Sequence, residues 1–360
     1  MKICYIFLLS NGDVGPLKHV NAVLKYYPDY ISTISNISGD YLFDSKNHIK
    51  TKSKNILKLN FEIISIIKKL IKNKDQDIFL VRFSIGYFLP IFYLFLRNQK
   101  FYIELNGLTF QDLKDRNKNF IIRFINYFIE FISFRLSEKL IVVHKNIIDV
   151  ISKRYFIKSN NFSVIPNGVE PIDIESVYSS PNKFFTLGYL GSLSKREGVD
   201  LLLSYFSKLD SSVFKLIIVG GQQNEFNLLS KEHDLSNVEY HSNTEYDEAI
   251  KIINNSDCFI HLRRPLKGKF DSQGSPLKIL DYLNLNKPII ASNISSYKFM
   301  SENGFGLLIN PYNFEDFKSK VNYLKNNYSQ FNSINSNQYV KNYYSWKTQI
   351  LKLRQLFYEK

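Results

Sequence analysis

The sequence predicts an α/β protein of two doubly wound, parallel-sheet domains facing a central cleft, and three observations predict it. Short apolar runs alternate with stretches of helical apolar spacing along most of the chain, which is the pattern of βαβ units. The alternation breaks once, where Pro166-Asn167-Gly168 opens a polar stretch that runs to Asn182 and holds two further prolines. At 360 residues, 44% apolar and 22% charged, the chain has the globular composition and the length for two full cores. The expected boundaries are 1–170, 171–342 and a C-terminal segment, 343–360, that packs back toward the first domain.

In order, Lys2–Ser10 reads as the opening strand, ending at Asn11-Gly12, with Val14–Tyr26 helical after it. Ile78–Ser84, Phe101–Leu105, Leu140–Val143 and Phe162–Ile165 are the further strands of the first half. Phe61–Lys72, Tyr87–Leu96, Phe120–Leu136 and Asn146–Tyr155 carry helical spacing between them. After the break, Phe185–Tyr189, Phe214–Val219, Val238–His241, Cys258–Leu262, Pro288–Ala291 and Gly306–Ile309 read as strands. Tyr343–Tyr358 reads as a closing amphipathic helix with the single tryptophan, Trp346. Open sheets of this kind bind ligands beyond their strand C-termini.

Charge is unevenly placed. The net charge is +14, and up to Gly168 there are 25 Lys and Arg against 13 Asp and Glu, so the basicity belongs to the first half. A basic surface fits nucleic acid, an anionic membrane or an anionic substrate. No helix-turn-helix, RNA-recognition or zinc pattern is present, which argues against nucleic acid. Phe120–Leu136, aromatic and aliphatic and edged by Lys118, Arg123 and Arg135, favours an anionic membrane surface. The longest uninterrupted apolar run, Ile85–Leu96, is too short to span a bilayer, and Ile3–Ser10 too short for a signal peptide. Cys4 and Cys258 have no metal-ligand spacing and no expected pairing, so a reducing, cytoplasmic location is expected.

The most informative stretch is Gly274-Ser-Pro-Leu-Lys-Ile-Leu-Asp-Tyr-Leu. Ser275 is a good N-cap and Pro276 a good first helical residue. An open helix N-terminus offers unpaired N–H groups to a phosphate. Lys278 in the first turn opposes the helix dipole unless an anion lies beside it, and Asp281 shares its face. Earlier, Gly188-Tyr-Leu-Gly191-Ser-Leu-Ser-Lys195-Arg196-Glu197-Gly198-Val-Asp follows a strand and precedes a helix. There Gly191 permits close backbone approach to a phosphate that Lys195 or Arg196 can neutralise. In the first half, Asn11-Gly-Asp-Val-Gly15-Pro-Leu-Lys-His19 starts the first helix. Glu104 and Asn106 share one strand face at the end of Phe101–Leu105, and Arg82 ends another strand.

Gly191-x-Leu-x-x-x-x-Gly198-Val-Asp, Val219-Gly-Gly, Ser256-Asp257, Gly274-Ser-Pro-x-Lys-x-x-Asp-Tyr-Leu and Val164-Ile-Pro-Asn-Gly-Val169 resemble, in order, the motifs of GT-B glycosyltransferases of family 4. The resemblance implies two Rossmann-like domains and a hexosyltransferase that takes a sugar from a nucleotide-sugar donor with retention. No metal or cofactor is implied. Its site residues would be Glu104, Asn106, Arg196 and Lys278 at the reacting centre, Gly15, Gly191, Lys195, Gln273, Gly274, Ser275, Pro276 and Asp281 around the donor, and His19 and Arg82 toward the acceptor. The acceptor implied is a glycan, lipid-linked, in bacterial surface-polysaccharide synthesis at the inner face of the plasma membrane. The sequence departs from the family at Glu197, where a lysine is usual, and at Gln273 and Asp281, where a pair of glutamates is usual. A carboxylate at 197 repels a diphosphate unless it is turned away or paired, and Lys278 with Arg196 would then supply the displaced charge. A nucleotide-sugar epimerase and a non-catalytic sugar-nucleotide-binding protein are the alternatives.

Overall fold

The computed structural model describes residues 1–9, 14–27, 31–43, 47–110, 113, 118–172, 183–242, 244–264, 276–332 and 335–358. The chain divides into two compact units, one comprising the described residues of Met1–Gly168 with the C-terminal stretch from Trp346, the other those from Val169 to Ser345.

The first unit is a seven-stranded sheet of order β3-β2-β1-β4-β5-β6-β7, all parallel. Its strands are β1 (Ile3–Phe7), β2 (Ile31–Ser35), β3 (His48–Lys50), β4 (Ile78–Arg82), β5 (Phe101–Leu105), β6 (Leu140–Val142) and β7 (Phe162–Val164). Five were expected. β2 and β3 were not, because Ile-Ser-Thr-Ile-Ser is half hydroxylic and His-Ile-Lys too short to show a period. β2 is nonetheless buried, its Thr33 bonded to His48 of β3 at 2.8 Å. The strand order reverses between β1 and β4, so the C-terminal ends of these two strands flank a topological switch point. On one sheet face, Ile3, Tyr5 and Phe7 of β1 pack with Ile350, Leu353, Leu356 and Phe357 of the C-terminal helix.

That helix is shorter than its periodicity predicts. Residues Ser336–Tyr343 form one helix and Trp346–Tyr358 another. Between them Ser345 makes a parallel bridge to Val169, and Val169 N–H donates to Tyr344 O at 2.9 Å. An apolar spacing that continues through a break cannot reveal the break.

The second unit is a six-stranded parallel sheet of order β10-β9-β8-β11-β12-β13. Its strands are β8 (Phe185–Leu190), β9 (Phe214–Val219), β10 (Val238–His241), β11 (Cys258–His261), β12 (Ile289–Ser292) and β13 (Gly306–Ile309). Apolar clusters cover both faces, around Leu203, Leu216 and Phe317 on one side and Phe259, Leu280 and Tyr297 on the other. The reversal falls between β8 and β11. Gly198 closes the loop after β8 with φ of +73°, and a Cβ there would lie 1.9 Å from Leu262 O, so the turn needs glycine. The loop is thus held against the end of β11.

Candidate functional site

At the switch point of the second sheet, the loop after β8 carries Glu197 over the end of β11. The sequence expected Glu197 beside an anionic ligand; the structure gives it partners of its own. Its Oε2 accepts from Lys278 Nζ and from His261 Nε2 at 2.9 Å. The Asp281 charge on the same helix face also acts on Lys278, more weakly than Glu197 does. The Lys278 ammonium also donates to Tyr189 Oη at 3.1 Å and lies 5.2 Å from the centroid of that ring. A Cβ on Gly191 would sit 2.5 Å from Lys278 Cε and Nζ, so the absence of a side chain at 191 is what admits the lysine. The anion demanded by a cation in a helix's first turn is Glu197.

Burial alone would raise the Glu197 pKa, but the His261 hydrogen bond and the Lys278 charge outweigh it and hold the carboxyl well below the usual range. Burial lowers Lys278 more than the carboxylate raises it. His261, fully buried at the end of β11, is pushed down to about 4 by burial first, with Lys278 and Arg263 adding to the effect. It is therefore neutral near pH 7. An ionised carboxylate only accepts, so Nε2 carries the His261 proton and Nδ1 accepts from Tyr297 Oη at 3.2 Å. None of His261, Tyr189 and Tyr297 was picked out in the sequence. All three look like core residues there, and only the fold brings their polar ends to one point.

The neighbouring turn is tied down by Arg264, whose guanidinium forks onto Asp200, at 2.6 Å for one contact, while its backbone N–H donates to Arg196 O at 2.9 Å. Lys195 and Arg196 expose their side chains on this short 3-10 turn. Pro276 corrects an expectation: it is the N-cap, without a side-chain hydrogen bond, and Leu277 is the first helical residue. Gln273, Gly274 and Ser275 lie outside the described residues. Asp281, one turn beyond Lys278, accepts from Tyr246 Oη at 3.3 Å.

The first unit gathers a second polar cluster beside its own switch point. Glu104, 4% exposed at the end of β5, accepts from Tyr5 Oη at 2.7 Å, Arg82 Nη1 at 2.8 Å, His19 Nε2 at 3.0 Å and Asn106 Nδ2. Burial would raise its pKa, yet the His19 and Arg82 charges, with hydrogen bonds from His19 and Asn106, hold it well below the carboxylate range. His19 also meets Asn167 Oδ1 through Nδ1 at 2.8 Å and packs edge-on against Trp346, with centroids 5.0 Å apart. Glu104, Asn106, His19 and Arg82, assigned separately to the reacting centre and the acceptor, thus converge, and Tyr5, Asn167 and Trp346 join them. Asn106 Oδ1 is buried with no hydrogen-bond partner among the described residues. Gly15 lies in the first turn of the Val14–Tyr26 helix, as the spacing of that run implies, with open space where a Cβ would be. Residues 10–13 lie outside the described residues.

Two Rossmann-like sheets, each with a polar cluster beside its switch point, define a two-domain α/β architecture. Residues 173–344 match the family model of the glycosyl transferases group 1. The second unit is thus a domain of that family, and the chain is a glycosyltransferase. A search of the curated proteins with this sequence returns no match. Among solved structures the chain is similar to Anabaena HepE in complex with UDP, at 14% identity over 99% of both chains with a TM-score of 0.75. It is similar to a glycosyltransferase from Rickettsia africae ESF-5, at 18% identity over 99% of this chain and 97% of that one, with a TM-score of 0.72. It is also similar to the lipopolysaccharide outer core galactosyltransferase WaaB, at 15% identity over 98% of each chain with a TM-score of 0.69. At such identities the likeness establishes the fold, which is GT-B.

Proposed function

We propose that the protein is a retaining, metal-independent hexosyltransferase of the family 4 type. It moves a sugar from a UDP- or GDP-sugar to a lipid-linked glycan during bacterial surface-polysaccharide synthesis (O-antigen, capsule or exopolysaccharide), at the cytoplasmic face of the plasma membrane. One observation carries the reading: an ammonium, Lys278, is held at the switch point of a glycosyl transferases group 1 domain by Glu197 and Tyr189. Relatives lend support, since HepE has been solved with UDP and with UDP-glucose.

In this reading Lys278, Arg196 and Lys195 meet the donor diphosphate, with Gly191 close to it; Gly15 and the Gly274-Ser-Pro stretch are assigned to the donor on the sequence motif alone. Asp281 accepts from donor hydroxyls, and the Gln273 amide accepts from or donates to them. The C1–O bond to the diphosphate breaks, the acceptor oxygen bonds C1 on the same face, and the acceptor proton passes to the departing phosphate oxygen. Fixed cations that meet the developing phosphate charge are the main source of rate. Glu104 orients Asn106, whose Oδ1 accepts from a sugar hydroxyl, and His19 and Arg82 face the acceptor.

The full chain, with UDP- and GDP-hexoses and lipid-linked acceptor in EDTA, is expected to release nucleoside diphosphate only when acceptor is present. Proton NMR should find the donor's anomeric configuration in the product. Donor isomerised without acceptor would move the assignment to an epimerase. Nucleotide binding without turnover would make it a non-catalytic sugar-nucleotide-binding protein.

The membrane part of the reading rests on the Phe120–Leu136 helix, which is packed inside out. Its buried stripe is Asn126, Glu130, Ser133 and Phe134, at 2% exposure or less, whereas Phe120, Phe124 and Phe128 are 71%, 51% and 46% exposed. Asn126 Nδ2 donates to Glu130 within the helix at 2.8 Å, and Tyr155 Oη, from the neighbouring helix, donates to the same carboxylate, so a polar contact ties the helix to the unit. Its outer face is an unbroken aromatic and aliphatic ridge, with Lys118 and Arg123 exposed at its N-terminal end. Apolar insertion flanked by cations fits an anionic bilayer. Among the described residues no helix is long and apolar enough to cross a membrane. Flotation with vesicles of phosphatidylglycerol and phosphatidylcholine should carry the wild type and lose a Phe120→Glu/Phe124→Glu variant. That variant should keep its melting temperature and its transfer to a water-soluble acceptor. Flotation indifferent to phosphatidylglycerol would exclude this role.

A further inference from the structure

Glu197 sets a problem of charge. A carboxylate at the switch point cancels the ammonium that the donor reading relies on, and its position next to Lys195 and Arg196 gives no hint of why it is tolerated. The hydrogen bonds around it supply a reason. Lys278 Nζ has two holders, Glu197 Oε2 and Tyr189 Oη. Among the described residues Glu197 also has two, Lys278 and His261 Nε2. Each partner therefore keeps one hydrogen bond if the Glu197–Lys278 contact opens. Tyr189 is fixed by donating to Ser192 O at 2.6 Å, and His261 by Tyr297 at 3.2 Å, so neither side chain is left to drift.

We propose that Glu197 is the exchangeable counter-ion of Lys278. With the site empty it holds the ammonium in place; a diphosphate displaces it; its return helps expel the product. The proposal rests on the donor reading above. The exchange breaks and forms no covalent bond: Lys278 trades one anion for another while its Tyr189 contact and its place over that ring persist. The freed carboxylate keeps the His261 N–H and is not left as a buried, unpaired charge, which is what would make a simple ion-pair rupture expensive.

The product of transfer carries one more ionisable phosphate oxygen than the donor, so a carboxylate competing for the same ammonium opposes the product more than the donor. A site without Glu197 would hold both more tightly and release the product slowly, and tight binding of that kind lowers KM without raising kcat. Glu197 is in this sense a positioning residue with an effect on release.

The test uses the full chain with UDP and GDP as probes, by calorimetry, alongside donor KM and kcat. Glu197→Gln removes the charge and keeps the shape. Glu197→Asp keeps the charge and draws it back from Lys278, and serves also if the glutamine variant proves unstable. For the diphosphate that binds, affinity should rise from wild type to Glu197→Asp to Glu197→Gln, the last by about tenfold, the size of one close charge pair. KM and kcat should fall together in Glu197→Gln. A merely structural Glu197 would give lower melting temperatures and unchanged or weaker binding, which overturns the proposal while leaving the donor reading standing. If neither diphosphate binds wild type or variants, the donor reading fails and this one with it.

Discussion

Lys278→Ala is expected to lower kcat by about two to three orders of magnitude, the loss found when one preorganised donor to a developing oxyanion is removed. The ammonium lies in a partly dehydrated pocket, so its field on a phosphate is less screened than that of a surface lysine. Lys195 and Arg196 stand exposed on a turn, where water and salt weaken them, and Arg196→Ala should cost several-fold at most. Intact turnover in both single variants would end the idea that these cations replace the family's usual lysine. Stability provides a separate check. Lys278→Ala leaves Glu197 with His261 as its one remaining side-chain partner among the described residues, so the melting temperature of the second unit should fall. Lys278→Ala/Glu197→Gln removes both charges and should recover that stability without recovering activity. Recovery of both would mean that Lys278 only balances Glu197.

Much of the fold was legible because parallel-sheet proteins advertise their alternation. The Val14–Tyr26 and Phe120–Leu136 helices and the β5, β9, β10 and β13 strands have the limits that their apolar runs imply. The partners of Glu197 were not legible. His261 sits in the run Cys-Phe-Ile-His-Leu, where an imidazole is indistinguishable from core, and Tyr297 lies more than thirty residues further on. A sequence records that Lys278 needs an anion but not which of several carboxylates reaches it. The inverted packing of Phe120–Leu136 was hidden for a different reason. Periodicity shows that a helix has two unlike faces, and burial is then assigned to the apolar one; here the Asn126–Glu130–Tyr155 contacts reverse the assignment. The Glu104 cluster was half visible. Glu104 and Asn106 share a strand face by alternation, but Tyr5 and Arg82 reach them only because β1, β4 and β5 are consecutive in the sheet.

That cluster leads to the largest expected effect on stability. Arg82→Ala removes a guanidinium 2.8 Å from a buried carboxylate, and breaking one side of such a pair costs about 3–5 kcal/mol. At 2–4 °C per kcal/mol for a domain of this size, the first unit should melt roughly 10 °C lower. The pH dependence follows from the direction of the Glu104 shift. Its folded pKa is depressed, so its contribution is fully present above the unfolded carboxylate value of about 4.3 and is lost as pH falls through the lower, folded value. Wild type should therefore show no loss from this group between pH 7 and pH 5. In Arg82→Ala one opposing cation is gone while burial remains, so the folded pKa rises and the acid transition should begin at higher pH. Adding Glu104→Gln should remove that early acid transition and recover part of the stability, because an uncharged amide needs no cation. Thermal melts by circular dichroism at several pH values follow all three proteins. An acid transition that stays in place in Arg82→Ala would mean that His19, Tyr5 and Asn106 suffice to hold the Glu104 charge.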